Sequence, residues 1–372
     1  MQKLILTSNL FFPNVGGIEN SLKSLAIENV NSNSEVVIIV SNIVDGGKNV
    51  DSGITNLDGI KVVRYNVPDF SNKLLKLIAH GRYAIKAYKA ELMDSRDTVI
   101  IARYHWNVIF AYLAGGRNIR YLVPGVVKFQ SNKKNRNDSV KFKLKLEMLA
   151  QKIALKLSKK VFVFSDTMQK QVNLIANNIL VDRVVPGIDS SRFILNGKKT
   201  NDKVTLLTMS RLVTAKGINF AIDALQYLPD NYQLFIVGSG PDEHLLKSKV
   251  QLLNLDDKVK FLGKQSSPES FYQKSDIFLL PSIYEPFGQT LLEASASGLP
   301  TVAFDKELVD TATFDVLGDF AFYANDLTGY SFAETIIEAH KQLLKVDSYK
   351  SELRQYVTQK YSWKKLFETL MC

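Results

Sequence analysis

Short runs of β-branched and aliphatic residues alternate with longer amphipathic stretches along the whole chain, a rhythm that points to βα units and parallel sheets. In the first half the strand candidates are 3–7, 36–40, 61–65, 98–102, 120–123, 160–164 and 179–184. The alternation restarts at 204–208 and continues through 232–237, 258–262, 276–280, 301–304 and 320–323. A chain of 372 residues is too long for one ordinary core, so two sheets are expected. The break falls between Pro186 and Lys203, where VVPGIDSSRF gives way to the polar run NGKKTNDK and Pro and Gly favour a turn.

Composition narrows the class. Hydrophobic residues make up 46% and charged residues 23%, the balance of a soluble globular protein. Cys372 is the only cysteine, which excludes intrachain disulfides and multi-cysteine metal sites and fits a reducing compartment. The opening MQKLILTSNLFF lacks the long apolar region of a signal peptide. The stretch 99–114 carries Arg103, His105 and Asn107, too short and polar for a membrane span. A cytoplasmic protein is expected. The net charge of +10 is concentrated between Lys128 and Lys160, where eleven Lys or Arg face only Asp138 and Glu147.

Open parallel sheets bind ligands at the carboxyl ends of their strands, so the loops after strands are where chemistry is expected. The loop after strand one, SNLFFPNVGGIEN, places Gly16 and Gly17 just before a helix; paired glycines admit a phosphate or sugar close to the backbone. It lacks the G-x-G-x-x-G spacing of nicotinamide and flavin enzymes. In MSRLVTAKG, Arg211 and Lys216 lie in a loop that opens a helix, and two cations there suit a diphosphate. The densest loop is in DIFLLPSIYEPFGQTLLEASASGLPTVAFD, where Glu285 and Glu293 flank a helix start at Gly288, Gln289 and Thr290. A phosphate fits the helix tip, and the carboxylates fit if sugar hydroxyls donate to them.

The E-P-F-G-x4-E pattern from Glu285 to Glu293 resembles the E-x7-E signature of family 4 retaining glycosyltransferases of the GT-B fold. FFPNVGGIEN, VVPGIDSSRF, SRLVTAKG, IVGSGPDEHLL, KVKFLGK and ASASGLPTVAF accompany it in order. The resemblance implies two Rossmann-like domains facing across a cleft, an acceptor-binding domain over 1–185 and a nucleotide-sugar-binding domain over 186–355. A closing helix over 356–372, packing through Trp363, Leu366 and Phe367, would cross back to the first domain. Arg211 and Lys216 would hold the donor diphosphate, Glu293 the ribose hydroxyls and Glu285 the donor sugar. Gly288, Gln289 and Thr290 would offer backbone amides. Gly16 and Gly17 would close over the donor, and the base would lie near Gly238, Gly240, Gly263 and Lys264. The implied reaction transfers a sugar with retention from a UDP- or GDP-sugar to a glycan or glycolipid, as in surface polysaccharide or cell-envelope assembly. No D-x-D occurs, so neither metal nor other cofactor is expected, and charge neutralisation falls to Arg211, Lys216 and helix tips.

The chain departs from the family in two places. Pro124 stands where a histidine is expected, leaving His105 in ARYHWN as the nearest substitute, although a helix-cap or half-buried histidine fits its position equally. After Asp305, KELVDTATFD replaces a Gly-Gly-x-Pro-Glu segment that shapes the sugar pocket. As a helix, 139–160 would set Lys141, Lys145, Lys152, Lys156 and Lys159 along one edge beside a stripe of Phe142, Leu146, Leu149, Ile153 and Leu157. That edge suits an anionic membrane surface or a core-facing helix with solvated lysines. Without aromatic interleaving, nucleic acid is not expected. Two other functions remain open at this level: a GT-B sugar-nucleotide epimerase, and a non-catalytic module binding nucleotide or anionic polymer.

Overall fold

The structure is a computed structural model that describes residues 3–14, 16–31, 35–44, 49–68, 73–93, 97–130, 138–195, 203–346 and 348–372. Contacts divide the chain into two compact units, Met1–Gly187 with Trp363–Cys372, and Ile188–Ser362.

The first unit is built on strands β1 (Leu4–Thr7), β2 (Val36–Ser41), β3 (Gly53–Leu57), β4 (Ile60–Tyr65), β5 (Val99–Ala102), β6 (Ile119–Leu122), β7 (Lys160–Val163) and β8 (Val181–Arg183). They form one sheet in the order β3-β4-β2-β1-β5-β6-β7-β8. Every pairing is parallel except β3 with β4. Its helices are α1 (Gly17–Asn31), α2 (Lys73–Leu92), α3 (His105–Leu113), α4 (Val127–Gln130), α5 (Asp138–Leu157) and α6 (Asp166–Ile175). Strands β1, β2, β5 and β6 are buried along their whole length, as expected for parallel strands covered on both faces. β1 pairs with β2 on one side and β5 on the other, so the strand order reverses there.

The second unit carries β9 (Val204–Met209), β10 (Tyr232–Val237), β11 (Val259–Phe261), β12 (Ile277–Leu280), β14 (Thr301–Phe304) and β16 (Ala321–Ala324) in one parallel sheet ordered β11-β10-β9-β12-β14-β16, plus a separate parallel pair, β13 (Tyr284–Glu285) with β15 (Asp310–Thr311). Its helices are α7 (Ile218–Ala224), α8 (Glu243–Leu252), α9 (Glu269–Gln273), α10 (Gln289–Ala296), α11 (Thr313–Leu317), α12 (Gly329–Lys345) and α13 (Tyr349–Lys360). With β9 taken as first strand this is the doubly wound order, and its reversal lies between β9 and β12. Ile277, Leu279, Val302, Phe304 and Phe332 sit in its core.

Three sequence expectations need correction. The chain does not leave the second unit at Tyr356. On α13, Arg354 donates to the carbonyls of Ser190 at 2.9 Å, Phe193 and Ala296, and the Tyr361 hydroxyl donates to Val316 O at 2.8 Å. Only α14 (Trp363–Met371) joins the first unit, burying Trp363, Leu366, Phe367 and Leu370. Correspondingly the first unit ends at Gly187 rather than 185, because a Cβ there would enter the Trp363 ring. The linker run 196–202 lies outside the described residues.

The basic helix is also shorter than expected. Lys159 is outside α5 because its amide already donates to Ile119 O at 2.8 Å, feeding β7. The buried face of α5 is Ala150, Gln151, Ala154 and Leu155, whereas Leu149 and Ile153 from the expected apolar stripe are exposed. Residues 131–137 and the side chains of Lys141 and Phe142 lie outside the described residues. Third, β3 adds a strand to those expected: Asp58 and Gly59, both at positive φ, form the Asp-Gly turn that marks a hairpin.

Candidate active site

At the reversal point of the second sheet, the loops after β9, β10, β11 and β12 are stitched into one surface. Gly217 adopts φ 59°, and a Cβ there would collide with the Pro281 carbonyl oxygen; only glycine lets the loop after β9 lie against the loop after β12. The two loops are then joined by Ile283 N–H donating to Ala215 O at 3.0 Å. On the other side, side chains at Gly238 and Gly240 would strike the carbonyls of Ser210 and Leu212. The Thr214 hydroxyl donates to Asp242 Oδ2 at 2.8 Å, and Gly238 N–H donates to Gly263 O at 2.8 Å. Gly238, Gly240 and Gly263 thus support the segment that carries Arg211 and Lys216, and Lys264 follows in the same turn.

Lys216 closes a 3₁₀ turn, Thr214–Lys216, and its ammonium pairs with Glu285 Oε2. Both side chains are largely shielded, at 20% and 11% exposure. Glu285 is fixed through its backbone: in β13 it pairs with Thr311, and its carbonyl accepts from Ala312 N–H at 2.9 Å. The KELVDTATFD segment, which departs from the family in sequence, therefore still frames this glutamate. Arg211 is exposed and has no ion pair with any described residue, leaving one fixed and one available cation.

Gly288 caps α10 in the left-handed conformation, at φ 83°, without a side-chain cap, so the tip at Gly288, Gln289 and Thr290 presents backbone and dipole. Glu285 Cγ lies 3.3 Å from where a Gly288 Cβ would stand. One helical turn on, Glu293 is buried and accepts a hydrogen bond from the Tyr272 hydroxyl at 2.8 Å. Burial pushes the Glu293 carboxyl up to about 7, against the Tyr272 bond and the field of Arg192, which pull it down, and with Glu269 adding to the rise. The structure thus gathers Lys216, Glu285, the α10 tip and Glu293 in one neighbourhood.

In the first unit, α1 begins at Gly17, and Glu19 folds back so that its carboxylate would stand 2.7 Å from a Cβ on Gly16. His105, the first residue of α3, is buried, with Nε2 2.6 Å from Glu147 Oε2 on α5. Trp106 Nε1 donates to the same oxygen at 3.1 Å. Burial alone would raise the Glu147 carboxyl, but the bonds from His105 and Trp106 hold it below its ordinary value. As placed, the imidazole anchors α5 to α3.

Sequence reasoning passed over four polar side chains. Arg103, at the carboxyl end of β5, is buried and donates to Ser21 Oγ at 3.2 Å; burial lowers its guanidinium to about 10. It stands in the same ARYHWN run that was read for His105. Asn107 joins Thr7 and Tyr88 in a buried network. Tyr272 lies in no motif, and although Arg192 stands in the VVPGIDSSRF motif, nothing in its local sequence announces the field it exerts on Glu293.

A sheet of order 3-2-1-4-5-6 with cations, a helix tip without a side-chain cap and two carboxylates at its switch point is a Rossmann-type unit of the kind found in GT-B glycosyltransferases. Residues 191–355 match the family Glycosyl transferases group 1. Among curated relatives, the mannosylfructose-phosphate synthase of Agrobacterium fabrum is 33% identical over 147 residues, covering 36% of this chain and 32% of that protein. The lipopolysaccharide core biosynthesis glycosyltransferase LpsD of Rhizobium meliloti is 33% identical over 106 residues, 28% of this chain and 31% of that protein. The chain spans about a third of the length of these relatives. Among solved structures, the sucrose-phosphate synthase of Thermosynechococcus elongatus superposes with TM-score 0.82 at 19% identity, covering 100% of this chain and 98% of that one. Anabaena HepE in complex with UDP-glucose superposes with TM-score 0.76 at 15% identity, covering 99% and 98%. The fold is therefore that of the GT-B glycosyltransferases.

Proposed function

We propose that this chain is a retaining, metal-independent glycosyltransferase that moves a sugar from a UDP- or GDP-sugar to a glycan or glycolipid acceptor in surface polysaccharide or cell-envelope assembly. The observation that carries the reading is the convergence of Lys216, Glu285, the α10 tip and Glu293 at the switch point of the second sheet. HepE, with bound UDP-glucose, and LpsD, named for lipopolysaccharide core biosynthesis, support the donor type and the setting.

In this reading the diphosphate docks against Lys216, Arg211 and the amides at the start of α10. These groups stabilise the charge that builds on the departing phosphate oxygen, the kind of preorganised aid worth several kcal/mol in a transition state. Binding draws Lys216 away from Glu285, freeing that carboxylate to accept from donor-sugar hydroxyls. The acceptor hydroxyl attacks the anomeric carbon from the face the phosphate leaves, and its proton passes to the leaving phosphate oxygen. Glu293 accepts from the ribose, and Gly238, Gly263 and Lys264 border the base. A panel of UDP- and GDP-sugars, read by thermal shift and by donor hydrolysis with and without EDTA, tests this. Stabilisation by at least one donor and hydrolysis that survives EDTA are expected; activity abolished by EDTA and restored by magnesium or manganese refutes metal independence.

The acceptor reading rests on α5. Leu149 and Ile153 are exposed on the helix that carries Lys145, Lys152 and Lys156. Beside it a cavity of about 280 Å³ is lined by Lys128, Met148, Leu149, Lys152, Leu174 and Ile175 among others. No helix among the described residues is long and apolar enough to cross a membrane. Lysines bordering exposed apolar residues suit peripheral contact with anionic lipid, the route to a lipid-linked acceptor. Sedimentation with phosphatidylglycerol vesicles at low salt, but not with neutral vesicles, is expected; indifference to both removes the membrane from the reading.

A further inference from the structure

Tyr272, on α9, is fully buried. Its ring meets Phe193 edge-on at 5.6 Å and Phe278 at 6.0 Å, and its hydroxyl lies 3.4 Å from Met209 Sδ and 2.8 Å from Glu293 Oε2. A ring held on two sides gives its hydroxyl one direction, so the bond to Glu293 is fixed in space. Among the described residues no hydrogen bond reaches the second oxygen of Glu293. A tyrosine here has a purpose that phenylalanine, equally able to fill the space, would not serve.

We propose that Tyr272 is the specificity-determining positioning residue for the donor nucleoside: it pins one Glu293 oxygen so that the other accepts from the ribose hydroxyls. The inference rests on the donor-site reading above and adds to it the group that sets ribose selectivity. A carboxylate free to rotate spreads its acceptor direction and loses most of its discrimination between a ribose and a sugar lacking hydroxyls. Loss of the Tyr272 bond also removes an interaction that opposes the rise of the Glu293 carboxyl, so less of it is ionised near neutrality and less can accept. The other charged groups around it are Glu269 on α9 and Arg192 on the segment after the unit boundary. From α13 comes Arg354, which reaches the end of α10 at Ala296 O. The strands beneath, β12 and β14, contribute no titratable side chain.

The test compares wild type, Tyr272→Phe and Glu293→Gln by calorimetric titration at pH 8 with UDP, GDP and their 2′,3′-dideoxy counterparts. Wild type should favour the better ribonucleotide over its dideoxy counterpart by about tenfold or more, as expected for hydrogen bonds to a charged group. Tyr272→Phe should cut that ratio to about twofold, with dideoxy affinity unchanged, since a single hydrogen bond to a charged acceptor is lost. Should Tyr272→Phe fail to fold, Phe193→Leu, which loosens the ring and leaves the hydroxyl, carries the same expectation of a lowered ratio. A full ratio retained in a folded Tyr272→Phe, or in its Phe193→Leu substitute, overturns the inference alone. Absence of any ribose preference in wild type overturns the assignment of Glu293. Failure of both UDP and GDP to bind overturns the donor-site reading and this inference with it.

Discussion

The two sheets reverse their strand order at equivalent places, between β1 and β5 in the first unit and between β9 and β12 in the second, yet their polar residues are used in opposite ways. At the first reversal, Thr7, Tyr88 and Asn107 bond one another, His105 bonds Glu147, and Arg103 is buried against α1. At the second, loops pressed together through glycine backbones leave Arg211 exposed, Lys216 paired, among the described residues, with Glu285 alone, and a helix tip without a side-chain cap. Topology therefore locates a candidate site, but at the first reversal the polar side chains are buried against one another, with Asn107 Oδ1 and Arg103 Nε left without a partner among the described residues, whereas at the second the loops present an exposed cation and a helix tip. The contrast can be broken experimentally at four points.

The largest effect is expected at Glu285. Glu285→Gln keeps the shape and the β13 pairing but removes the charge facing Lys216 and the donor sugar. Transfer should fall about a hundred- to a thousandfold, the size seen when a preorganised polar group is removed from an active site. Nucleotide affinity, measured by titration, should change little; transfer within a few-fold of wild type assigns the chemistry elsewhere.

Next comes the pH response of Glu293. Its folded carboxyl stands at about 7, above the unfolded value near 4.5, so the neutral group favours the fold. Its contribution is complete below the unfolded value and is lost as pH rises through about 7. The loss is of order 3 kcal/mol by the usual conversion of shift to free energy. Denaturant unfolding followed from pH 4.5 to 8 should show this decline in wild type and a flatter profile in Glu293→Gln. Parallel profiles would mean that the carboxyl is not raised.

In the first unit, Asn107→Ala strips the donor that serves Thr7 and Tyr88 and opens a small void. A stability loss of about 1–3 kcal/mol is expected, with nucleotide affinity unchanged. Reduced affinity in a folded variant would show that the first reversal point also serves the donor. The smallest effect belongs to His105→Gln, with a loss of about 1 kcal/mol from the weakened tie to Glu147. A fall in transfer well beyond that loss would give the imidazole the role of the family histidine for which His105 is the nearest substitute.

The sequence made local features legible and left long-range ones hidden. Strands of the two sheets stand out because fully buried β-branched runs differ from the amphipathic helices between them. The loop residues of the second unit are legible because Arg211, Lys216, Glu285, Gly288 and Glu293 occur in short motifs. Tyr272 is invisible in that way: its partner lies 21 positions on, and an aromatic on a short helix reads as core. The sequence leaves the facing of α5 open, because a lysine edge beside an apolar stripe suits a membrane surface and a core alike; only packing shows that Ala150, Ala154 and Leu155 face inward. The return of the chain to the first unit comes at Trp363, later than the local sequence implies, since the bonds of Arg354 and Tyr361 that hold the chain in the second unit are tertiary.

The central claim is that the pyrophosphate of the donor rests on the second reversal point. A crystal structure of the complex with UDP, or with GDP if that nucleotide gives the larger thermal shift, tests it most directly. The account predicts phosphate oxygens within hydrogen-bonding distance of Lys216, Arg211 and the first-turn amides of α10, with a ribose hydroxyl on Glu293. A nucleotide bound in any other place, or held without Lys216 and the α10 tip, would contradict it.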